Sequence, residues 1–466
     1  MNKAKFSIPF GLVIFLTSLV IFFRRISSFP LRNWDEAWYA EIIKNMASGD
    51  FSPIVPFWNG RYYFDHAPLY FWLSSPIFKM FGSGEWQARF ISTISAVLAM
   101  LFVFLIGKRL ANAKVGALST LIFATIGGVV IRFSHGNLDS LLVFLFLASF
   151  YFYLESERDK KYGFLTGLAL GLGLIVKSWG VGVFPFFLIF VYSFFKNRRL
   201  PNNTLVLIAV PTLFFLLWSA VGYWNFGQTF IRWYWFNPSE NRLGDPLGNF
   251  SWDYFKFAFR DIGLWLTIPT LFLAASYKNY FKDQKPFILA SGLVCFVYIF
   301  FLNFLSDKSG WYLIPTYPYI ALILGIFLRN LMERRLRMIS MLFGILLAMQ
   351  YFNVLRIENI YPDRSRVGAE LGVAANGLIP IEDEVILDDH DFTSFLYYSN
   401  QKHIFTLQKS RKPGEWWILK KEEVGAFLQD HSRTWIVKRK ETNLPIVGGK
   451  GQIVEELNNY EFIRLY

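Results

Sequence analysis

Apolar residues in this chain come in runs of about 20, from the N-terminus to about Asn353. As helices, runs of that length match the hydrocarbon thickness of a bilayer. The pattern predicts about eleven spans, over 7–23, 87–106, 115–133, 138–154, 162–177, 180–195, 204–224, 254–276, 286–305, 312–329 and 338–355. Arg24-Arg25 follows the first run where a cleaved leader would have small residues, so that run reads as a retained span. From about Asp363 the runs shorten. EVILDD, SFLYYS, RTWIVKR and YEFIRLY read as strands between polar turns, and KKEEVGAFLQD reads as a helix. The predicted fold class is an all-α polytopic membrane protein, residues 1–355, with a small α/β domain over 363–466.

Charge placement orients the spans. Lys3 and Lys5 precede the first. Basic clusters then follow the second, fourth, sixth, eighth and tenth, at Lys108-Arg109, Lys160-Lys161, Arg198-Arg199, Lys282/Lys285 and Arg334-Arg335. Lysine and arginine favour cytoplasmic loops, so the N-terminus is expected in the cytoplasm. Arg24 and Arg25 run against that alternation in one loop only. An odd number of spans then puts the C-terminal domain outside an inner (plasma) membrane. The long outer loops are about 24–86 and 225–253, and long loops on a rigid scaffold are where function concentrates.

Composition narrows the class further. The chain is 54% hydrophobic and 20% aromatic, far oilier than a soluble protein of this length needs. Its formal charge of +13 sits after span ends and not on one face, which argues against nucleic acid as a partner. The single cysteine, Cys295, excludes an intramolecular disulfide.

The first outer loop opens with NWDEAWYAE, residues 33–41. Asn33 and Glu36 have capping-box spacing, and Asp35 and Tyr39 share a helical face. The stretch reads either as an interfacial helix with aromatics at headgroup level, or as the place where Asp35, with Glu36 second, acts as a general base. YYFDHAPLYFW follows at 62–72, where Asp65 and His66 either cap a helix opening near Pro68 or bind a ligand. Further along, the predicted outer ends of the spans carry Arg132, His135, Asp139, Lys177, Lys308 and Tyr312, and the loop near 237–245 carries Arg242. Each alone reads as a cap or a snorkelling side chain. Together they outline an outward-facing pocket of carboxylates and cations, because ionisable groups at membrane depth are costly and mark function. Asp35, Asp65, His66 and Asp139 would also suit a divalent metal, although no spacing demands one.

WDEAWY and FDHAPLYFW resemble the first outer loop of the GT-C glycosyltransferases, chiefly the protein O-mannosyltransferases and the bacterial lipid A aminoarabinose transferases. Asp139, the Gly-rich run ending at Lys177, and Lys308-x-x-x-Tyr312-x-x-Pro315 follow in the same order, so the resemblance covers about 1–355. It implies a polyprenyl-phosphate sugar as donor, a lipid, glycan or protein acceptor, and inverting transfer outside the cytoplasm. Asp35 stands at the family's catalytic aspartate. Lys308 and Tyr312 match a segment that contacts the donor phosphate, and Arg242 is a candidate for a phosphate-binding arginine. Asp65-His66 replaces a Glu-Lys pair, which removes a permanent charge. The resemblance therefore implies the reaction class and leaves the sugar open.

The residue types suit that chemistry. A carboxylate can take the acceptor's proton, displacement at the anomeric carbon inverts it, and cations stabilise a phosphate leaving group. The chief rival reading is a transporter or flippase of a lipid-linked sugar, which would place polar residues and paired broken helices at the bilayer midplane. A non-catalytic scaffold would not explain acids and cations recurring at the ends of separate spans.

Overall fold

The computed structural model describes residues 19–20, 22–24, 26–177, 179–236, 248–269, 283–306, 308–334, 336–354, 356, 364–411, 415–431, 433–444 and 451–465. Most of the predicted first span, and Arg242 with its neighbours, lie outside them.

The chain folds as a helical bundle followed by a sheet-based unit. Among the described residues five helices are long and apolar enough to cross a membrane. They are α3 (Glu85–Leu110), α6 (Asp139–Ser156), α9 (Thr204–Phe226), α11 (Lys285–Leu302) and the Gly310–Glu333 segment that contains α12 (Tyr317–Arg334). The pair α4 (Ala113–Phe123) and α5 (Gly127–Phe133) makes a sixth if its two halves are counted as one span. The bundle also includes α7 (Lys161–Leu174), α8 (Phe184–Asn197) and α13 (Leu336–Val354). Eleven spans were expected; among the described residues several of the corresponding helices are shorter than a full crossing. The clearest departure is 254–276: its first part is a ten-residue helix, α10 (Asp253–Ile262), running into a 3-10 turn at Gly263–Leu266. Asp253, Lys256, Arg260 and Asp261 interrupt its apolar pattern.

Small residues decide how the bundle packs. In lipid, helices associate by close van der Waals contact, not by the hydrophobic effect. A Cβ on Gly107 would lie 2.7 Å from the Cα of Gly116, so α3 and α4 meet backbone to backbone. Gly163, Gly167 and Gly171, one turn apart on α7, lie against Asn203, Val206 and Phe214 at and along α9. The Gly-rich run is thus a packing stripe up to the turn that delivers Lys177.

The bend between α4 and α5 is 73°. A broken helix strands polar backbone groups that the protein itself must satisfy. Gln350 on α13 donates to the Thr125 carbonyl at 3.1 Å, and the Thr125 hydroxyl accepts from Trp265 Nε1 at 3.1 Å. The bend re-aims α5, with Arg132 in its last turn.

The first loop forms α1 (Asp35–Ser48), a two-residue hairpin of β1 (Phe57–Trp58) and β2 (Arg61–Tyr62), and α2 (Leu69–Phe81). After α13 the chain builds α14 (Arg364–Leu378) and a six-stranded sheet in the order β5-β4-β3-β6-β8-β7. Its strands are β3 (Glu384–Leu387), β4 (Ile404–Leu407), β5 (Ile418–Leu419), β6 (Thr434–Arg439), β7 (Gly451–Leu457) and β8 (Tyr460–Leu465). The first four pair in parallel, and β8 pairs antiparallel with β6 and β7. The strands expected in EVILDD, RTWIVKR and YEFIRLY form. SFLYYS does not: it lies in a buried helix, α15 (Thr393–Ser399). Its unbroken aromatic run lacks the alternation of a half-buried strand, and a short run of that kind fits helix or strand equally. KKEEVGAFLQD is helical as expected, a 3-10 turn leading into α16 (Val424–Asp430).

Candidate active site

The N-terminus of α1, the end of α5 and the start of α6 meet at the Arg132 guanidinium. Asp35 is the first residue of α1, and its Oδ2 pairs with the Arg132 guanidinium. The same guanidinium donates through Nε to Asp139 Oδ2 at 2.5 Å. Asp139 opens α6, and its Oδ1 accepts from Lys177 Nζ at 2.8 Å. Lys177 in turn lies 5.5 Å from the centre of the Tyr312 ring, and Arg132 lies 4.8 Å from that of Trp311. Two acids and two bases thus alternate with no net charge, which is how ionised groups survive burial. Exposure separates the acids: the Asp139 side chain is 4% exposed and that of Asp35 is 29% exposed.

Glu36 points elsewhere. It is buried and takes both Arg89 Nε at 2.7 Å and Arg89 NH2 at 3.2 Å. The backbone amides of Arg32 and Gly136 also donate to it, each at 2.8 Å. Burial alone would raise its pKa, but Arg89 with these donors holds it down to about 2. Both carboxylate oxygens are thus engaged, each by one Arg89 nitrogen and one backbone amide. His135 is also buried, and burial with the nearby Arg32 and Arg89 pushes it down to about 3 against the pull of Glu36.

The capping box expected of Asn33 and Glu36 does not form. Glu36 does reach back to Arg32 N, but Trp34 holds the cap position with φ 66°, and Asn33 turns away to accept from Ser394 N and Oγ at 2.9 and 2.7 Å. α2 begins after Pro68, whose cap position has no side-chain hydrogen bond. His66 Nε2 instead meets the Tyr39 hydroxyl at 3.1 Å, both residues buried one turn along α1 from Asp35. Lys308 stands apart from the charged chain. It donates to the carbonyls of Asn303 and Leu305 at 3.2 and 2.5 Å, where a cation suits a helix C-terminus.

Asp35 and Glu36 lie on the wall of a cavity of about 1720 Å³ with Arg32, Arg132, Arg260 and Trp311. Ile314, Leu264, Leu342 and Leu346 make its apolar side. A polar head and an oily wall are what a lipid-linked ligand needs. Arg260 and Asp261 were hidden in a predicted span. Arg260 bonds Asp261 at 2.9 Å, and Asp261 Oδ2 accepts from the Tyr317 hydroxyl at 2.8 Å. An adjacent charge pair inside an apolar run was the available signal. Asp35 and Asp139 converge on a guanidinium, not on an open cation site, and no group of three His, Cys, Asp or Glu suited to a metal occurs among the described residues.

Comparison with known proteins bears on this arrangement. Residues 65–224 match the dolichyl-phosphate-mannose-protein mannosyltransferase family. An undecaprenyl phosphate-alpha-4-amino-4-deoxy-L-arabinose arabinosyl transferase of Shewanella sediminis is 22% identical over 343 residues, 70% of this chain and 60% of that protein. An uncharacterised Aquifex aeolicus protein is 25% identical over 344 residues, 71% of this chain and 66% of its own. The chain therefore spans about three fifths to two thirds of these relatives. The crystal structure of ArnT from Cupriavidus metallidurans bound to undecaprenyl phosphate superposes over 98% of both chains, with TM-score 0.76 and 15% identity.

The fold resembles the GT-C fold of these structures. The oligosaccharyltransferase of Archaeoglobus fulgidus shares it more distantly, with TM-score 0.61, 13% identity, and coverage of 93% of this chain and 70% of that one. The resemblance read from WDEAWY and FDHAPLYFW is borne out. The GT-C fold also accounts for the sheet unit, since the match to ArnT extends over nearly the whole chain.

Proposed function

We propose that this chain is a membrane glycosyltransferase that moves a sugar from a polyprenyl-phosphate donor to a hydroxyl or phosphate acceptor, with inversion. The observation that carries the reading is the half-open Asp35 carboxylate on a large cavity with one charged and one oily side. In this reading Asp35 is the base. Arg132 holds its Oδ2 and leaves Oδ1, which makes no hydrogen bond among the described residues, for the acceptor's proton. Asp139 and Lys177 fix Arg132 from behind. Lys177 and Tyr312 with Arg132, and Arg242 from beyond the described residues, face the donor phosphate and its developing charge. Tyr39, His66 and Asp65 shape the side toward the sugar, and Glu36 locks α1. Lys308, tied to two carbonyls in the structure, reaches the phosphate only by leaving them.

The same reading completes the architecture. Residues 1–355 form the transferase bundle with about eleven crossings, some short or broken, and its loop 24–86 carries Asp35. Residues 363–466 form an outer domain, with the N-terminus in the cytoplasm and both the domain and Asp35 outside.

The test is to incubate the purified protein in lipid with radiolabelled polyprenyl-phosphate sugars and a panel of lipid and peptide acceptors. The anomeric configuration of any product is then determined. Transfer with inversion supports the reading. Transfer with retention removes the direct-displacement mechanism, and donor flipping without transfer replaces the enzyme with a transporter.

A further inference from the structure

Resting on the transferase reading, we infer that the C-terminal sheet unit is a positioning element of the reaction, in which Thr393 and Asp391 hold Trp34 in a rare backbone conformation and so set the direction of Asp35. Trp34 has φ 66° and ψ −128°. A bulky residue with positive φ is an outlier that persists only where its surroundings over-determine it. The Trp34 carbonyl and ring are held within α1 by Trp38, and its amide and indole N–H by the sheet unit. The Trp34 amide donates to Thr393 Oγ1 at 2.5 Å, and its indole Nε1 donates to Asp391 Oδ1 at 2.9 Å. The indole ring lies 4.9 Å from the His390 ring and meets Phe392 edge-on at 5.8 Å. On either side, the Leu31 amide donates to the Tyr398 hydroxyl at 2.9 Å, and Asn33 is bound to Ser394.

The residue after Trp34 is Asp35, and the residue after that is Glu36, fixed to Arg89 on α3. Asp35 is thus strung between two anchors, one on the sheet unit and one on the bundle. Releasing the first lets the Trp34 backbone relax toward an ordinary conformation and swings the Asp35 carboxylate on its α1 pivot. Misplacement of a reacting group by about 1 Å can cost two orders of magnitude in rate while substrate binding persists.

The test compares wild type with Thr393→Val, which keeps the shape and removes the hydroxyl, and with Thr393→Ser, which restores it. Each is assayed in lipid for turnover, for donor KM and for amide exchange over residues 30–38. The inference predicts that Thr393→Val melts near wild type, exchanges faster over 30–38, and loses at least about tenfold in kcat with donor KM changed less than about twofold. Thr393→Ser recovers most of the rate. A purely structural contact would lower the folded fraction and leave kcat per folded molecule unchanged, which overturns the inference. If Thr393→Val does not fold, Asp391→Leu, which removes the acceptor of the indole and the partner of His390 Nδ1, takes its place under the same criteria. A wild type that transfers from no donor, with exchange over 30–38 still responding to Thr393→Val, refutes the transferase reading. It leaves a clamp with no reaction to position and overturns this inference with it.

Discussion

Asp35 and Asp139 share one guanidinium, that of Arg132, Asp35 at NH2 and Asp139 at Nε. The exposed acid is thereby coupled to the buried one, and through it to Lys177. A planar fork can serve two carboxylates at once, whereas an ammonium is a point charge.

Arg132→Lys should therefore fold but lose transfer by about a hundredfold or more, since lysine cannot hold both acids in place. Arg132→Met should fail more broadly, because it leaves Asp139 with Lys177 alone and Asp35 unheld; breaking a buried pair costs about 3–5 kcal/mol. Turnover and melting temperature measured on both variants separate the two outcomes. Equal turnover in Arg132→Lys and wild type would contradict the coupling.

Arg89 and Glu36 should behave as structure. Arg89→Met strands a buried carboxylate that now has two guanidinium bonds, at a cost of about 3–5 kcal/mol. The expected result is a large drop in melting temperature and yield. Whatever protein remains folded should keep a donor KM close to that of wild type.

Acid should destabilise the protein in two stages. His135 sits near 3 when folded against 6.5 for the free side chain, so the unfolded chain takes up a proton first and stability is lost as pH falls from 6.5 toward 3. Glu36 sits near 2 against 4.5, so its stabilisation is full above 4.5 and is lost between 4.5 and 2. Each group contributes a slope of up to about 1.4 kcal/mol per pH unit in its window. Melting temperature against pH should fall through both windows, and His135→Gln should flatten the part above pH 4.5.

Gly128→Ala should disturb the site from behind. The added Cβ would collide with the Asp261 carboxylate and come within 3.1 Å of the Tyr317 ring, pushing α5 away from α10. Overpacking of this kind costs about 1–3 kcal/mol, and because Arg132 rides on α5, turnover should fall with it. A melting curve and a transfer assay on the one variant check both.

Much of this arrangement is legible in the sequence because bilayer spans and acidic loop motifs are local signals. Asp35, Asp139 and Lys177 each stand out where a charge interrupts an apolar pattern, and the structure joins them. What joins them, Arg132, looked like one more isolated cation, since its partners are distant in sequence. Arg260 and Asp261 were absorbed into a predicted span because hydropathy averages over a charge pair. Tyr39 and His66 share a motif loop, yet nothing in their spacing announces the hydroxyl–imidazole contact. SFLYYS became a helix because six apolar and small residues satisfy either period, and packing against α14 and α1 decides. The grip of Asp391 and Thr393 on Trp34 is tertiary throughout, spanning hundreds of residues, and no local pattern encodes it.

The measurement that tests the account most directly is sugar transfer by Asp35→Asn beside wild type, at equal amounts of folded protein, with donor binding measured on both. The substitution keeps the shape and removes the basic carboxylate. The account predicts that Asp35→Asn binds donor, melts near wild type and loses turnover by about a hundredfold or more. Undiminished turnover in Asp35→Asn would contradict it and leave Asp35 as an acid in the first turn of α1.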